Sequence, residues 1–454
     1  MDRKEYLMRR VALKRGYLLG LALFLLLVWV KASFADMSPI QNLGDFVTWK
    51  FKIGIDDRVR YEYRDNFNFS DAKPTKGTKG YGTGSLVFNR FKINLQGALS
   101  DEYLNDIAKV FVEGLDAQVV PYQISSPTQK DSLDLHQAYF SLYRILGSDF
   151  DLKVGRQEMS YGAGRLIAAP TWANNIRSFD ATVLHYYCGG LYSDIIYAYN
   201  VPYDPNHFNA LQYKEKITGI YAGYQRNKTA MLIEGYFLPQ LIHNNTTKAS
   251  RYTAGLRLKG HMPADIMYDL EFPYQFGTTN HKSIKAYAFH IDLSRQFWSM
   301  PWQPRVTLAY DEASGDKDSR DSESNTFIPL YQSTHEPYGL MDFFRWENMR
   351  NLEFNVNLSL TEKLKLIPQV DFFWLMSTKD SWYDSTGAAL RSIPTRGRIN
   401  HHVGEEVSLR AAYELNKNVK MEIGTAHFFT GKYVAETGSN DDANWVYSQL
   451  SMKF

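Results

Sequence analysis

The chain has 454 residues, with 51 Lys/Arg against 49 Asp/Glu, 15% aromatic residues and one cysteine. Residues 1–35 carry seven Lys/Arg and two Asp/Glu, so their removal takes the formal charge from +2 to −3 and leaves nucleic-acid binding without compositional support. The lone Cys188 excludes an internal disulfide and reads as a small packed residue.

The N-terminus presents Arg3, Lys4, Arg9, Arg10, Lys14 and Arg15, then an apolar run from Tyr17 to Val30, then Ser33-Phe34-Ala35 before Asp36. This is the layout of a cleaved secretory signal peptide, with a basic region, an apolar region and a small-x-small cleavage site. A spanning helix wants about 20 apolar residues, more than this run supplies. The expected organisation is a signal peptide at 1–35, a periplasmic segment at 36–48 and a membrane domain at 49–454. No later apolar stretch is long enough for a helix to span. A membrane location therefore requires a closed barrel, in which every backbone group pairs between strands.

A barrel strand with lipid outside and water inside alternates apolar and polar residues for about ten positions. In 49–64, Trp49, Phe51, Ile53, Ile55, Val59, Tyr61 and Tyr63 alternate with Lys50, Lys52, Gly54, Asp56, Arg58, Arg60, Glu62 and Arg64. The same pattern recurs with Arg90 and Lys92 around Phe91, in 351–360, and in 405–413. Soluble sandwich strands average about five or six residues, shorter than these.

Turn signals fall near 101–106, 146–149, 188–191, 226–228, 260–264, 295–303, 361–363 and 416–418. Longer polar stretches lie between them at 65–86, 118–132, 158–177, 201–215, 239–250, 275–281, 313–350, 377–404 and 431–444. Eight short and nine long links join eighteen strands. The segments 107–117, 192–200 and 265–274 alternate poorly. The chain ends inside a strand on Phe454, with Val446, Leu450 and Met452 on the same face, which resembles the C-terminal signal read by the outer-membrane barrel-assembly machinery. The fold class expected is all-β: a transmembrane, antiparallel, up-and-down barrel of about 18 strands in a bacterial outer membrane, with short periplasmic turns and long extracellular loops.

On the eight most regular strands, inward parity falls on Lys50, Lys52, Arg58, Arg60, Arg64, Arg90, Lys92, Arg257, Lys259, Arg305, Lys365, Arg410 and Lys453, against Asp56, Glu62, Asp311, Glu353, Asp371 and Glu406. Thirteen positive positions against six negative ones, in a mature chain of charge −3, describe a lumen suited to anions. The alternative is that these groups brace the wall as cross-strand ion pairs.

The block Gly155-Arg156-Gln157-Glu158-Met159-Ser160-Tyr161-Gly162-Ala163-Gly164-Arg165-Leu166, followed by Trp172, Asn174, Arg177 and Phe179-Asp180, resembles the signature of the alginate-export outer-membrane porin family. Ala313-Ser314-Gly315-Asp316, Leu330-Tyr331, His335, Gly339, Asp342, Asn348 and Gly404-Glu405-Glu406-Val407 extend the resemblance along the mature chain. It implies an eighteen-stranded barrel whose arginine-rich constriction passes a polyuronate outward, with Arg156, Arg165, Arg177 and Asp180 near that constriction. It also implies periplasmic components of an export complex as partners, beside outer-membrane lipid. Ala163 and Ser408 stand where the family commonly has acidic residues, which keeps another acidic polysaccharide or a smaller anion open as cargo.

Leu152 and Val154 take lipid-facing parity, which by itself points Arg156 outward; for a residue near the constriction, either Gly155 marks a bulge that re-aims the chain, or the strand ends there and Arg156 belongs to an infolded loop. Two rival readings are an uptake porin for small anionic solutes and an outer-membrane barrel enzyme. The histidines His335, His401 and His402 lie in long loops without a nucleophile motif, so no enzyme activity and no cofactor are expected. The acidic run 311–321 does not follow the EF-hand spacing, and no metal is expected.

Overall fold

The structure is a computed structural model that describes residues 47–67, 69, 82–101, 103, 105–120, 129–227, 230–244, 246–335, 337–391 and 399–454. The expected signal peptide and most of the segment 36–48 lie outside the described residues. Eighteen strands form one antiparallel sheet. They are Val47–Asp65 (β1), Gly84–Asp101 (β2), Asp106–Val120 (β3), Asp131–Leu142 (β4), Phe150–Gln157 (β5), Phe179–Cys188 (β6), Leu191–Asn200 (β7), Glu215–Tyr224 (β8) and Leu232–His243 (β9). There follow Lys248–Met262 (β10), Ile266–Thr279 (β11), Lys282–Gln296 (β12), Arg305–Ala313 (β13), Met349–Ser359 (β14), Leu364–Trp374 (β15), His402–Asn416 (β16), Val419–Thr430 (β17) and Ala443–Lys453 (β18).

The sheet closes on itself. β1 pairs with β18 in the register Arg58↔Ser451 and Glu62↔Tyr447, and Ile55 and Phe454 exchange backbone hydrogen bonds of 2.9 and 2.8 Å. Closure leaves no edge strand to seek a partner in lipid. Two compact units are distinguished: the barrel, Phe51–Gly97 with Ala108–Phe454, and a smaller one whose described residues are 47–50, 98–101, 103 and 105–107. In the second, Asp101 Oδ1 accepts the backbone N–H groups of Tyr103 and Asn105 at 3.0 and 2.8 Å and shapes a tight turn. Among the described residues no helix is long and apolar enough to cross a membrane; the six-residue helix Lys432–Thr437 lies in an outer connection.

The alternation read from sequence describes the two faces of β1. Val59, Tyr61 and Tyr63 are 40–42% exposed, whereas Arg58, Arg60 and Glu62 are 1–2% exposed. Short connections such as Gly189–Gly190 gather at one end, and long ones such as 158–178 and 314–348 at the other. One expected long link is in fact tight: β11 and β12 join through Asn280 and His281 alone, whose φ angles of 44° and 70° suit a two-residue hairpin. Cys188 is exposed at the end of β6 rather than packed.

Two of the three segments that alternate poorly, in β3 and β7, have physical reasons to do so. Against β4, β3 changes register between Glu113 and Gly114 and again between Leu115 and Ala117, so parity breaks there. In β6 to β9 the inward positions Phe179, Ala181, Val183, Ile196, Ala198, Ile217 and Leu238 are apolar. They pack against Met159, Leu166, Ile167, Leu330, Tyr331, Leu340 and Met341 of two long connections that fold into the barrel. An inner face covered by protein needs no polar residues.

Candidate functional site in the barrel interior

Connection 158–178 crosses the interior and docks at two places. At the first, Arg58 Nη1 donates to the carbonyl oxygens of Thr171 and Trp172 at 2.8 and 2.9 Å, and Nη2 donates to Ala173 O at 3.1 Å and Asn174 Oδ1 at 3.2 Å. Arg60 Nη1 donates to Trp172 O at 2.7 Å, and Arg90 Nη1 to Thr171 O and Ala173 O at 2.7 and 3.0 Å. The Trp172 ring lies between the Arg60 guanidinium, 3.8 Å from its centroid, and the His335 ring, stacked at 3.9 Å. Three cations from β1 and β2 thus hold one turn of the connection through neutral carbonyl oxygens.

At the second place, Arg165 Nη1 donates to Glu271 Oε2 at 3.0 Å and lies 3.8 Å from Asp269, while a further N–H meets His290 Nε2. His290 Nδ1 meets Asp311 at 2.8 Å. Arg257 completes this network, bonded to Asp269 Oδ1 at 2.8 Å and Glu234 Oε2 at 2.6 Å. The connection approaches the wall closely at Gly162, whose φ is +59°; a Cβ there would lie 2.6 Å from Tyr221 Oη. A side chain at this position is excluded both by backbone conformation and by space.

Connection 314–348 meets the first one edge to edge. Ala168 N–H donates to Tyr331 O at 2.8 Å, and Tyr331 N–H to Leu166 O at 2.6 Å. The wall holds it through Glu406, which accepts the backbone N–H groups of Leu340 at 2.6 Å and Met341 at 3.3 Å. Within it, burial pushes the Glu347 carboxyl up to about 7 despite Arg345 Nε at 3.0 Å.

The residues singled out from sequence fall into four groups. Arg58, Arg60 and Arg90 come together, with Arg64 reaching the same spot by holding Glu62 Oε2 at 2.7 Å. Arg165 and Arg257 share the network around Asp269. Lys92 stands 3.6 Å from Glu113, Arg177 lies over the Tyr331 ring at 5.4 Å, Arg410 is half-buried on β16, and Arg305 is exposed with Nη2 donating to Ser294 Oγ at 2.8 Å. Arg156 and Asp180 stand apart.

Neither a bulge nor a strand end re-aims Arg156. β5 pairs with β6 without a break through Gly155↔Ala181 and Arg156↔Asp180, which leaves Arg156 on the face of the exposed Val154 and Thr182. There it makes a two-pronged bond to Asp180, at 2.8 and 3.0 Å, and donates to Asn209 O at 2.8 Å. That geometry clamps connection 201–214.

The buried positions add carboxylates that the eight-strand count leaves out. Among the described residues seven arginines are buried (58, 60, 90, 165, 251, 257 and 391) against fourteen carboxylates. The strands left out of the sequence count carry Glu113, Asp131, Asp134, Glu234, Asp269 and Glu271. The buried guanidinium groups with least compensation include Arg251 on β10 and, where connection 158–178 docks, Arg58 and Arg90. Neither Arg58 nor Arg90 meets a carboxylate within ion-pair distance among the described residues, and the Nε of each is buried without a hydrogen-bond partner. Asp269 and Glu271 were legible in principle, since they alternate with Leu270 and Phe272.

A closed, even-numbered antiparallel barrel with an apolar outer face, tight turns at one end and infolded long connections from the other is an integral outer-membrane channel. The family model described as alginate export matches residues 50–448, and the chain belongs to that family. No curated protein matches the sequence.

Solved structures from Pseudomonas aeruginosa share the fold. OccK2 (OpdF) superposes with a TM-score of 0.60 at 10% identity over 89% of this chain and 98% of its own. The same protein in complex with glucuronate gives 0.59 at 10% identity over 89% and 98%. The outer membrane protein opdK gives 0.57, again at 10% identity over 89% and 98%.

Proposed function

We propose that this channel passes an anionic polysaccharide of the polyuronate class outward by passive, charge-selective diffusion, and that Arg58, Arg60 and Arg90 are its recognition group. The observation that carries this reading is the partnering of Arg58 and Arg90: buried guanidinium groups satisfied by neutral carbonyl oxygens rather than by carboxylates. A carboxylate forms stronger, two-pronged bonds to guanidinium than a peptide carbonyl does. A uronate entering from the periplasm competes for these N–H groups and displaces the turn Thr171–Asn174, which opens the path that the connection narrows.

In this reading Arg64, Lys92, Arg305 and Arg410 extend the positive path. Arg165 and Arg257, already paired with carboxylates, anchor the connection, and Arg177 steadies it against Tyr331. Residues 1–35 serve as the export signal and 36–48 as a periplasmic segment. The protein acts as a conduit with no bond chemistry. A second reading, uptake of small organic acids, is favoured by the glucuronate complex of a protein with the same fold; pore width and block by long uronate chains separate the two.

The test is conduction across planar bilayers. Anion selectivity and block by oligouronate are expected, both reduced when Arg58, Arg60 and Arg90 are replaced by Gln. Cation selectivity indifferent to uronates overturns the proposal.

A further inference from the structure

β3, β4 and the first residue of connection 158–178 bring two carboxylates and an imidazole to one point. His136 Nε2 lies 2.8 Å from Glu158 Oε1 and 4.0 Å from Glu113 Oε1, and the three ligand atoms all fall within 4.8 Å of one another. Glu113 and His136 are buried. Glu158 borders a cavity of about 400 Å³ whose wall includes Tyr139, Ser141, Lys153, Tyr161 and His185.

We propose that Glu113, His136 and Glu158 bind a divalent transition-metal ion of the Zn²⁺ class inside the barrel. One nitrogen and two carboxylate oxygens make a mixed donor set that suits this ion, whose bonds of about 2.0–2.2 Å in a tetrahedral array place donors roughly 3.3 Å apart. The observed 2.8 and 4.0 Å bracket that separation, and the third pair lies within 4.8 Å. A hard ion such as Ca²⁺ takes about six to eight oxygens, more than this point supplies.

The surroundings orient the donors as metal sites require. A single carboxamide, Gln137, donates from Nε2 to Glu113 Oε1 at 3.0 Å and accepts the Glu158 backbone N–H at 3.1 Å. It thereby fixes two of the three ligands, and Glu113 Oε1 keeps its second lone pair for the ion. Lys92 engages the other oxygen, Oε2, at 3.6 Å and offsets one negative charge. The cavity beside Glu158 provides the entry path and a fourth position for water. An ion here ties the start of the infolded connection to the wall strands β3 and β4.

The test uses the full folded barrel in detergent, titrated with Zn²⁺ in a calorimeter beside His136→Gln, Glu113→Gln and Gln137→Leu, with folding of each checked by heat-modifiable mobility on a gel. The wild type is expected to bind one ion that the first two variants bind at least about tenfold more weakly, and that Gln137→Leu binds about 10–100-fold more weakly. Co²⁺ is expected to give tetrahedral visible bands in the wild type and to lose them in His136→Gln. Binding of equal strength in the wild type and His136→Gln overturns the proposal, and so does the lack of a one-to-one site. The readout is metal binding alone, so it stands or falls separately from uronate passage.

Discussion

Trp172→Ala removes the ring that joins the infolded connection to both the barrel wall and the second connection, while leaving the carbonyl oxygen of residue 172 in place for Arg58 and Arg60. The cation–π contact with Arg60 at 3.8 Å contributes about 0.5–2 kcal/mol. The stack on His335 at 3.9 Å adds about 0.5–1.5 kcal/mol. Together they make about 1–3.5 kcal/mol, which lowers the ratio of docked to undocked connection roughly 5- to 350-fold. Single-channel recordings in planar bilayers are expected to show Trp172→Ala spending a correspondingly larger share of time in a high-conductance state. His335→Ala, which keeps the Arg60 contact, is expected to move the same way by less. Conductance and open fraction identical to wild type in Trp172→Ala would refute the docking argument.

Arg257→Gln leaves Glu234 and Asp269 buried without their shared cation, a change worth about 3–5 kcal/mol of destabilisation. The temperature at which the barrel loses its fast gel mobility is expected to fall, with anion selectivity in the surviving channels unchanged; lost selectivity at unchanged stability contradicts the anchoring role. Glu347 gives a pH dependence of definite sign. Burial raises its carboxyl from the ordinary 4.5 to about 7, so the folded state holds the proton more tightly than the unfolded one. The packing of connection 314–348 therefore weakens as pH rises from about 4.5 to about 7 and levels off above, by an amount of order 1–3 kcal/mol. Proteolysis within 314–348 is expected to be faster at about pH 8 than at about pH 5 in wild type and equal in Glu347→Gln; a wild type insensitive to pH contradicts it.

Strand positions and their number were legible wherever lipid lies on one side and polar groups on the other, as in Val59, Tyr61 and Tyr63 against Arg58, Arg60 and Glu62. Legibility failed where protein covers the inner face. Ile196 and Ala198 are buried in the same apolar cluster as Leu166 and Tyr331, so the sequence of β7 loses its period. It failed also in the charge count, because the carboxylates that answer Arg165 and Arg257, Glu234 on β9 and Asp269 and Glu271 on β11, sit on strands outside the eight that were counted. The block around Arg165 and Trp172 was visible as a likeness to the family, but its docking on opposite arginine and carboxylate groups was not, since that depends on which carbonyl oxygens a loop turns toward the wall. The outward parity of Val154 holds for Arg156 as well, against the expected bulge or strand end, because β5 pairs with β6 without a break. The cluster of Glu113, His136 and Glu158 left no local signal, being assembled from three elements with more than twenty residues between successive members.

The most direct test of the central claim is reversal potential under a salt gradient in planar bilayers, measured with and without oligouronate on the periplasmic side. An anion-selective potential is expected, with current blocked by the oligomer, and both effects diminished in the triple variant Arg58→Gln, Arg60→Gln, Arg90→Gln but retained in Arg257→Gln. A cation-selective channel, or one whose selectivity and block survive the triple substitution, would contradict the assignment of these three arginines as the recognition group.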